Sequence, residues 1–226
     1  IENHLEKSFN IANSAYNEAL SFGLKRFEAL KQNSQYQNLL EARRTASMGI
    51  VALKKMKQKT SELSQQVKLY NRALSNLQKA YGLTEFGLSA HLSQRRKEGS
   101  AYQQLNAGEL QVIAGQAMKT LEKVLFYKIK PHKVRFRSKF DLDVSFRNRV
   151  NTTGTRLETS DKQGMAYRLY IHKASTFIDI PVKAFNHCQQ ISLMCSAKIK
   201  YVQIIRKTIR GKKVYILQIV CQGFPP

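Results

Sequence analysis

Apolar residues return along the first part of the chain at alternating spacings of four and three. Leu5, Phe9, Ala12, Tyr16, Ala19, Gly23, Phe27 and Leu30 fall on one face of a helix. A second series, Leu53, Met56, Thr60, Leu63, Val67, Tyr70, Leu74, Leu77 and Tyr81, keeps this alternation and stops at Gly82, a residue suited to the left-handed position after a helix end. It predicts one long helix over 53–81. Shorter helical segments are predicted over 36–48 and 84–97. A last helix is expected over 107–127, with Leu110, Ala114, Ala117, Leu121 and Val124 inward and Asn106 as its cap. Residues 1–130 therefore read as a helical bundle.

Around Pro131 the period becomes two. Val134, Phe136, Phe140, Leu142, Val144 and Phe146 alternate with Arg135, Arg137, Lys139, Asp141, Asp143 and Ser145, which predicts strand. Stretches 167–172 and 177–182 have the same character, with Pro181 marking an edge or a strand end. A hairpin is predicted from 199–208 and 213–221, joined through Arg210-Gly211-Lys212. Both of its faces carry apolar residues, Val202 and Ile204 against Tyr201 and Ile205, as a closed or covered sheet requires. The expected fold class is α+β, a helical bundle over 1–130 followed by a small β-barrel over 131–226.

Charge changes the picture from fold to partner. The 226 residues hold 38 Lys and Arg against 15 Asp and Glu, a net charge of +23, and such a surplus calls for a polyanion. Residues 1–130 carry 20 basic and 10 acidic side chains and residues 131–226 carry 18 and 5, so the β half is the denser positive surface. With 42% hydrophobic residues the chain can bury a core and is no disordered basic tail. No apolar run approaches the ~20 residues of a membrane span, and no signal-like start is seen, so an intracellular, cytoplasmic location is expected. The chain starts at Ile1 and stops at Phe224-Pro225-Pro226 directly after an expected strand, which is read as a fragment or a split subunit.

Candidate chemistry is sparse. Cys188, Cys195 and Cys221 have no CxxC spacing, and the histidines His4, His91, His132, His172 and His187 show no HxH or HxxxH pattern. Asp141 and Asp143 are the one close carboxylate pair of the β half, set among cations, and read as charge balance rather than as metal ligands. No catalytic residue and no metal site is predicted. Basic and aromatic residues interleave instead. Lys133, Arg135, Arg137 and Lys139 would stand on one strand face, spaced roughly 6.6 Å per two residues and so near the phosphate spacing of an extended strand. Arg147 and Arg149 continue that run, Arg206, Lys207, Arg210, Lys212 and Lys213 surround the hairpin tip, and Arg95 and Arg96 close a helix. These are the candidate nucleic-acid contacts. Tyr16, Tyr70 and Tyr81 lie on helical seams and are expected in the core.

The order of these segments resembles a known family. The stretch from Lys200 to Pro226, KYVQIIRKTIRGKKVYILQIVCQGFPP, is similar to the hairpin preceding the RuvC nuclease domain in TnpB proteins, transposon-encoded RNA-guided nucleases, and in their compact type V CRISPR relatives. Lys133-Val134-Arg135-Phe136-Arg137 resembles that family's Pro-Arg-Phe-Lys element, with Val134 where the family has Pro. Asn151-Thr152-Thr153-Gly154-Thr155-Arg156 resembles its Asn-x-x-Gly-Ile-Arg segment, and Tyr16-Asn17 and Lys79-Ala80-Tyr81-Gly82-Leu83-Thr84 resemble parts of its helical insertion.

The resemblance implies a helical recognition lobe over 1–130 and a wedge-type barrel over 131–226, which grip guide RNA and target DNA. It also implies a prokaryotic cytoplasmic setting. Cleavage and its magnesium would belong to a RuvC domain outside these residues, in a missing segment or a separate chain, since neither the RuvC carboxylates nor the zinc-ribbon cysteines occur here; a RuvC-containing chain or a second copy of this one would then be a partner. Two other readings remain open on the residues alone: a sequence-tolerant binder of structured RNA, and a module that pairs through a coiled coil over 53–81.

Overall fold

The computed structural model describes residues 2–125, 134–138, 144–172, 177–182 and 198–222, apart from the side chains of His4 and Val144. Among the described residues five α-helices come first, α1 (Glu2–Lys31), α2 (Ser34–Lys55), α3 (Ser61–Ala80), α4 (Glu85–Lys97) and α5 (Ala107–Leu125), with a 3-10 turn at Ala101–Gln104 between α4 and α5. Strands follow as β1 (Val144–Arg147), β2 (Arg156–Thr159), β3 (Met165–Tyr170), β4 (Phe177–Pro181), β5 (Lys198–Ile209) and β6 (Lys212–Gln222). The chain is α+β.

The apolar series of α1 is its buried face: Leu5, Phe9, Ala12, Tyr16, Ala19, Phe27 and Leu30 are all removed from water. The second series is split. α2 ends at Lys55, Lys57 takes a left-handed φ of 56°, and α3 starts at Ser61, so 53–81 is a helical hairpin's turn and second arm rather than one helix. The break falls among Lys54, Lys55, Lys57 and Lys59, whose like charges would stack three and four residues apart on a continuous helix. The heptad phase survives because α2 and α3 share one seam. Leu63 approaches Gly49, and Leu63 and Tyr70 line a shallow hollow with Ala42 and Ala46. Thus Leu63 and Tyr70 of the series face α2 of the same chain.

Both ends of the hairpin are stitched. Asn33 caps α2 by accepting from Tyr36 N at 3.0 Å and donates to Tyr81 Oη at 3.1 Å. At the end of α3, Leu83 N donates to Gln78 O and Gly82 N to Lys79 O, the paired bonds of a Schellman ending, with Gly82 at φ 72°. The base packs on the body through Tyr36, Leu74 and Leu83. Farther out, no side chain from 47 to 73 is buried, and Met48, Val51, Met56 and Leu69 stand mostly exposed.

Six strands among the described residues make two three-stranded antiparallel sheets, one ordered β1-β5-β6 and the other β2-β3-β4. Among the described residues no pairing joins them into the closed barrel that the sequence led us to expect. The two-faced apolar pattern of β5 has another cause. Val202 and Ile204 enter the core while Tyr201 and Ile205 are half-covered on the other face. The hairpin turn is as expected, with Arg210 and Gly211 both at positive φ (49° and 76°), the requirement of a two-residue type I′ turn. Pro181 ends β4, an edge strand, as its missing N–H demands.

The period-two stretch after Pro131 is the larger departure. Residues 134–138 are not strand. Their backbone is held by side chains of α1 instead: Arg137 N donates to Asn17 Oδ1 (2.8 Å), Asn17 Nδ2 to Arg137 O (2.6 Å) and Asn13 Nδ2 to Ser138 O (3.4 Å). Those amides replace a partner strand, so alternation is present without a sheet. β2 was not anticipated, since Leu157 is its single buried residue.

One hydrophobic core crosses the change of secondary structure near 130. Leu5, Phe9 and Leu110 from the helices meet Phe146, Leu157, Val202 and Ile204 from both sheets, and the Phe9 and Phe146 rings touch edge to face at 4.8 Å between centroids. Burial on this scale, ~25 cal/mol per Å² of apolar surface, fixes the sheets against α1 and α5. No helix among the described residues is long and apolar enough to cross a membrane.

Candidate nucleic-acid interface

The mouth between the two sheets opens where β5 begins and β6 ends. A cavity of about 970 Å³ lies there, with Leu157, Tyr167 and Ile199 at its lining and Arg147, Arg149, Lys198 and Lys200 around them. Leu157 and Tyr167 are buried, Ile199 is half-buried, and Arg149, Lys198 and Lys200 are exposed, so an apolar floor sits under a basic rim. No carboxylate stands among the described residues that line it. The Arg147 guanidinium lies 4.1 Å from the centre of the Tyr201 ring, and Arg149 Nη1 donates to Gln111 Oε1 at 3.0 Å.

The loop that carries Arg149 is pinned from behind by a buried polar cluster. Asn106 and Glu109 form a capping box at the start of α5: Glu109 N donates to Asn106 Oδ1 (2.8 Å) and Asn106 N donates to Glu109 Oε2 (2.9 Å). The other carboxylate oxygen of Glu109 accepts from Thr155 N (2.9 Å) and Thr155 Oγ1 (2.5 Å). His172 Nδ1 approaches the same oxygen at 3.2 Å, within ion-pair range though off the line of a hydrogen bond. Asn148 Nδ2 donates to Thr153 O, and Asn106 Nδ2 to Thr153 Oγ1. Burial pushes the Glu109 carboxyl up, but contact and charge from His172, with the Thr155 and Asn106 bonds, outweigh it and hold its pKa below the ordinary value.

The predicted contacts separate into groups. Arg147 and Arg149 are brought to the cavity. Arg206 is not at the surface: only 2% of its side chain is exposed, Nη1 donates to Glu6 Oε2 at 2.8 Å, and its guanidinium lies over Phe9 at 5.1 Å. It sits on the inward face of β5 with Val202 and Ile204, a placement that period two implies once the core face is known. Tyr215 Oη joins the same carboxylate at 2.5 Å, and Lys213 Nζ lies 3.5 Å away. Burial raises the Glu6 pKa, yet bonds from Tyr215 and Arg206 and the charges of Arg206 and Lys213 prevail and lower it, while burial and Glu6 push the Tyr215 phenol up.

Lys207, Arg210 and Lys212 are exposed around the hairpin tip. Arg137 is partly buried, 3.8 Å over the Tyr16 ring and bonded to Gln116 Oε1, whereas Arg135 is exposed. Arg95 pairs with Glu98 (2.8 Å) and Glu18 (3.5 Å), and Arg96 Nη1 reaches Leu105 O at 3.4 Å. Lys133 and Lys139, like Asp141, Asp143, Cys188 and Cys195, lie outside the described residues. Of the histidines, His91 pairs with Glu18 at 2.9 Å and stacks on Phe22, and His172 is buried rather than at the surface. Sequence reasoning missed Lys198, Lys200 and Tyr201, although the Lys-x-Lys-Tyr alternation at the start of β5 was visible.

Among the described residues no group of three or more His, Cys, Asp or Glu side chains could hold a metal ion. No protein-family model matches this chain. No curated protein matches it significantly either.

Proposed function

We propose that this chain is the nucleic-acid-gripping part of an RNA-guided DNA-targeting effector of the TnpB or compact type V kind, binding guide RNA and target DNA. The helices would be its recognition lobe and the two sheets its wedge. The observation that carries the reading is the cavity between the sheets, whose rim gathers Arg147, Arg149, Lys198 and Lys200 with no carboxylate among the described lining residues. Cations held together without counter-charges repel one another, and a phosphate backbone relieves that repulsion by releasing its own counterions. Lys207, Arg210 and Lys212 at the hairpin tip extend the positive surface. Contacts of this type position a nucleic acid rather than read its sequence. Nuclease activity and its magnesium would come from a RuvC domain outside these residues, in a missing segment or a separate chain.

A mobility-shift titration with a stem-loop RNA, repeated at several salt concentrations, tests the reading. Tight binding that weakens steeply with salt is expected, and a chain that leaves the RNA unshifted at low salt would sink the proposal. Tighter binding to RNA–DNA heteroduplex and structured RNA than to random RNA of equal length favours the effector. Equal affinity for unrelated RNAs favours the sequence-tolerant RNA binder.

A further inference from the structure

We infer that the cavity between the sheets takes an unpaired nucleotide, its base stacked on the Arg147 guanidinium and its flanking phosphates on Arg149, Lys198 and Lys200. This rests on the nucleic-acid reading and narrows it to single-stranded or bulged RNA or DNA. Three observations carry it. The first is the division of the lining into an apolar floor, Leu157, Tyr167 and Ile199, and a charged rim. A double helix presents phosphates and hides its base faces, so it would use the rim and leave the floor uncovered. An extruded base uses both.

The second is the planar cation. Arg147 lies 4.1 Å over the centre of the Tyr201 ring at the cavity wall, and a guanidinium already backed by a ring is a platform for a further π-face. The third is size. About 970 Å³ is at the upper end of small-ligand pockets, which run to ~1,000 Å³; that holds a nucleotide with its neighbours' phosphates and excludes a duplex. The Glu109 cluster fixes the Asn148 to Thr155 loop from behind, so the wall is formed before the nucleotide arrives and little ordering cost opposes binding.

The test compares two labelled hairpin RNAs on the same chain, one fully paired and one with a short bulge carrying 2-aminopurine. The bulged RNA should bind about tenfold more tightly, the worth of stacking one base, and its 2-aminopurine emission should be quenched on binding. Arg147→Lys keeps the charge but removes the plane and should abolish both the preference and the quench with the salt slope unchanged. Tyr201→Leu should do the same and Tyr201→Phe should not, with thermal melts confirming that each variant folds. Equal affinity for the two RNAs, or a preference that survives Arg147→Lys, overturns the inference while leaving nucleic-acid binding in place. Failure to bind either RNA at low salt removes both.

Discussion

The cavity between the sheets and the outer face of the β2-β3-β4 sheet are built from the same kinds of residue and differ in their carboxylates. On the outer face Arg156 lies over Tyr170 at 3.9 Å and Arg168 over Phe177 at 4.2 Å, a cation–aromatic ladder across neighbouring strands. Each cation there is answered: Arg156 by Glu158 at 2.6 Å, Arg168 by Asp179 at 2.9 Å and Lys162 by Asp179 at 3.5 Å. The cavity has Arg147 over Tyr201 and three further cations with no carboxylate answering them among the described residues. Arginine on an aromatic ring is therefore no mark of a binding site by itself. What separates the regions is whether the fold neutralises the charge internally or leaves it for a ligand.

The pairing that holds a buried arginine should give the largest response. Glu6→Ala leaves the Arg206 guanidinium buried and short of its carboxylate, and should cost about 3–5 kcal/mol in chemical denaturation. Arg206→Ala should also destabilise, without the loss of salt dependence that removal of a phosphate contact causes. A binding loss in folded Arg206→Ala as large as that of a rim variant would blur the comparison.

Glu109→Ala comes next, at about 2–4 kcal/mol, because it strips partners from Thr155, Asn106 and His172 together. The folded chain should also bind RNA less well, as the loop bearing Arg149 loses its anchor. Acid offers a milder version. The Glu109 and Glu6 pKa values are lowered by folding from a reference of 4.5, so their contribution is complete above that value and is lost as pH falls through the folded values. Denaturation midpoints should be level above about pH 5 and drop below about pH 4.5, and a double variant Glu6→Gln/Glu109→Gln should show a shallower fall.

The smallest effect belongs to the outer hairpin. Its residues from 47 to 73 lack any buried side chain, so their amides should exchange with solvent faster than those of α1 and α5. Protection there equal to the core would mean that something covers the arm in solution.

Much of the fold was legible wherever period and environment coincide. The α1 stripe, the Gly82 ending and the Arg210-Gly211 turn could be read because one local rule decides each. The 53–81 series misled because a shared seam preserves heptad phase across a turn. The 134–138 alternation misled because Asn13 and Asn17, 120 residues or more away, supply the hydrogen bonds that a strand would have needed. The site was half legible for the same reason. Arg147 and Arg149 could be named from the basic run, but Arg206 could be assigned to the core only once the inward face of β5 was known, and Lys198 and Lys200 only once β2 and β3 formed the opposite wall.

On the proposed reading unanswered cations, and not cations in general, bind the nucleic acid. This is tested most directly by measuring RNA affinity against salt for two triple variants with similar loss of charge. The rim variant Arg149→Ala/Lys198→Ala/Lys200→Ala should bind far more weakly, with a log–log salt slope shallower by about two units. The outer-face variant Arg156→Ala/Lys162→Ala/Arg168→Ala should stay within about twofold of the unaltered chain with its slope intact, as expected of surface pairs whose charges are already met. Equal losses in the two variants would contradict the account.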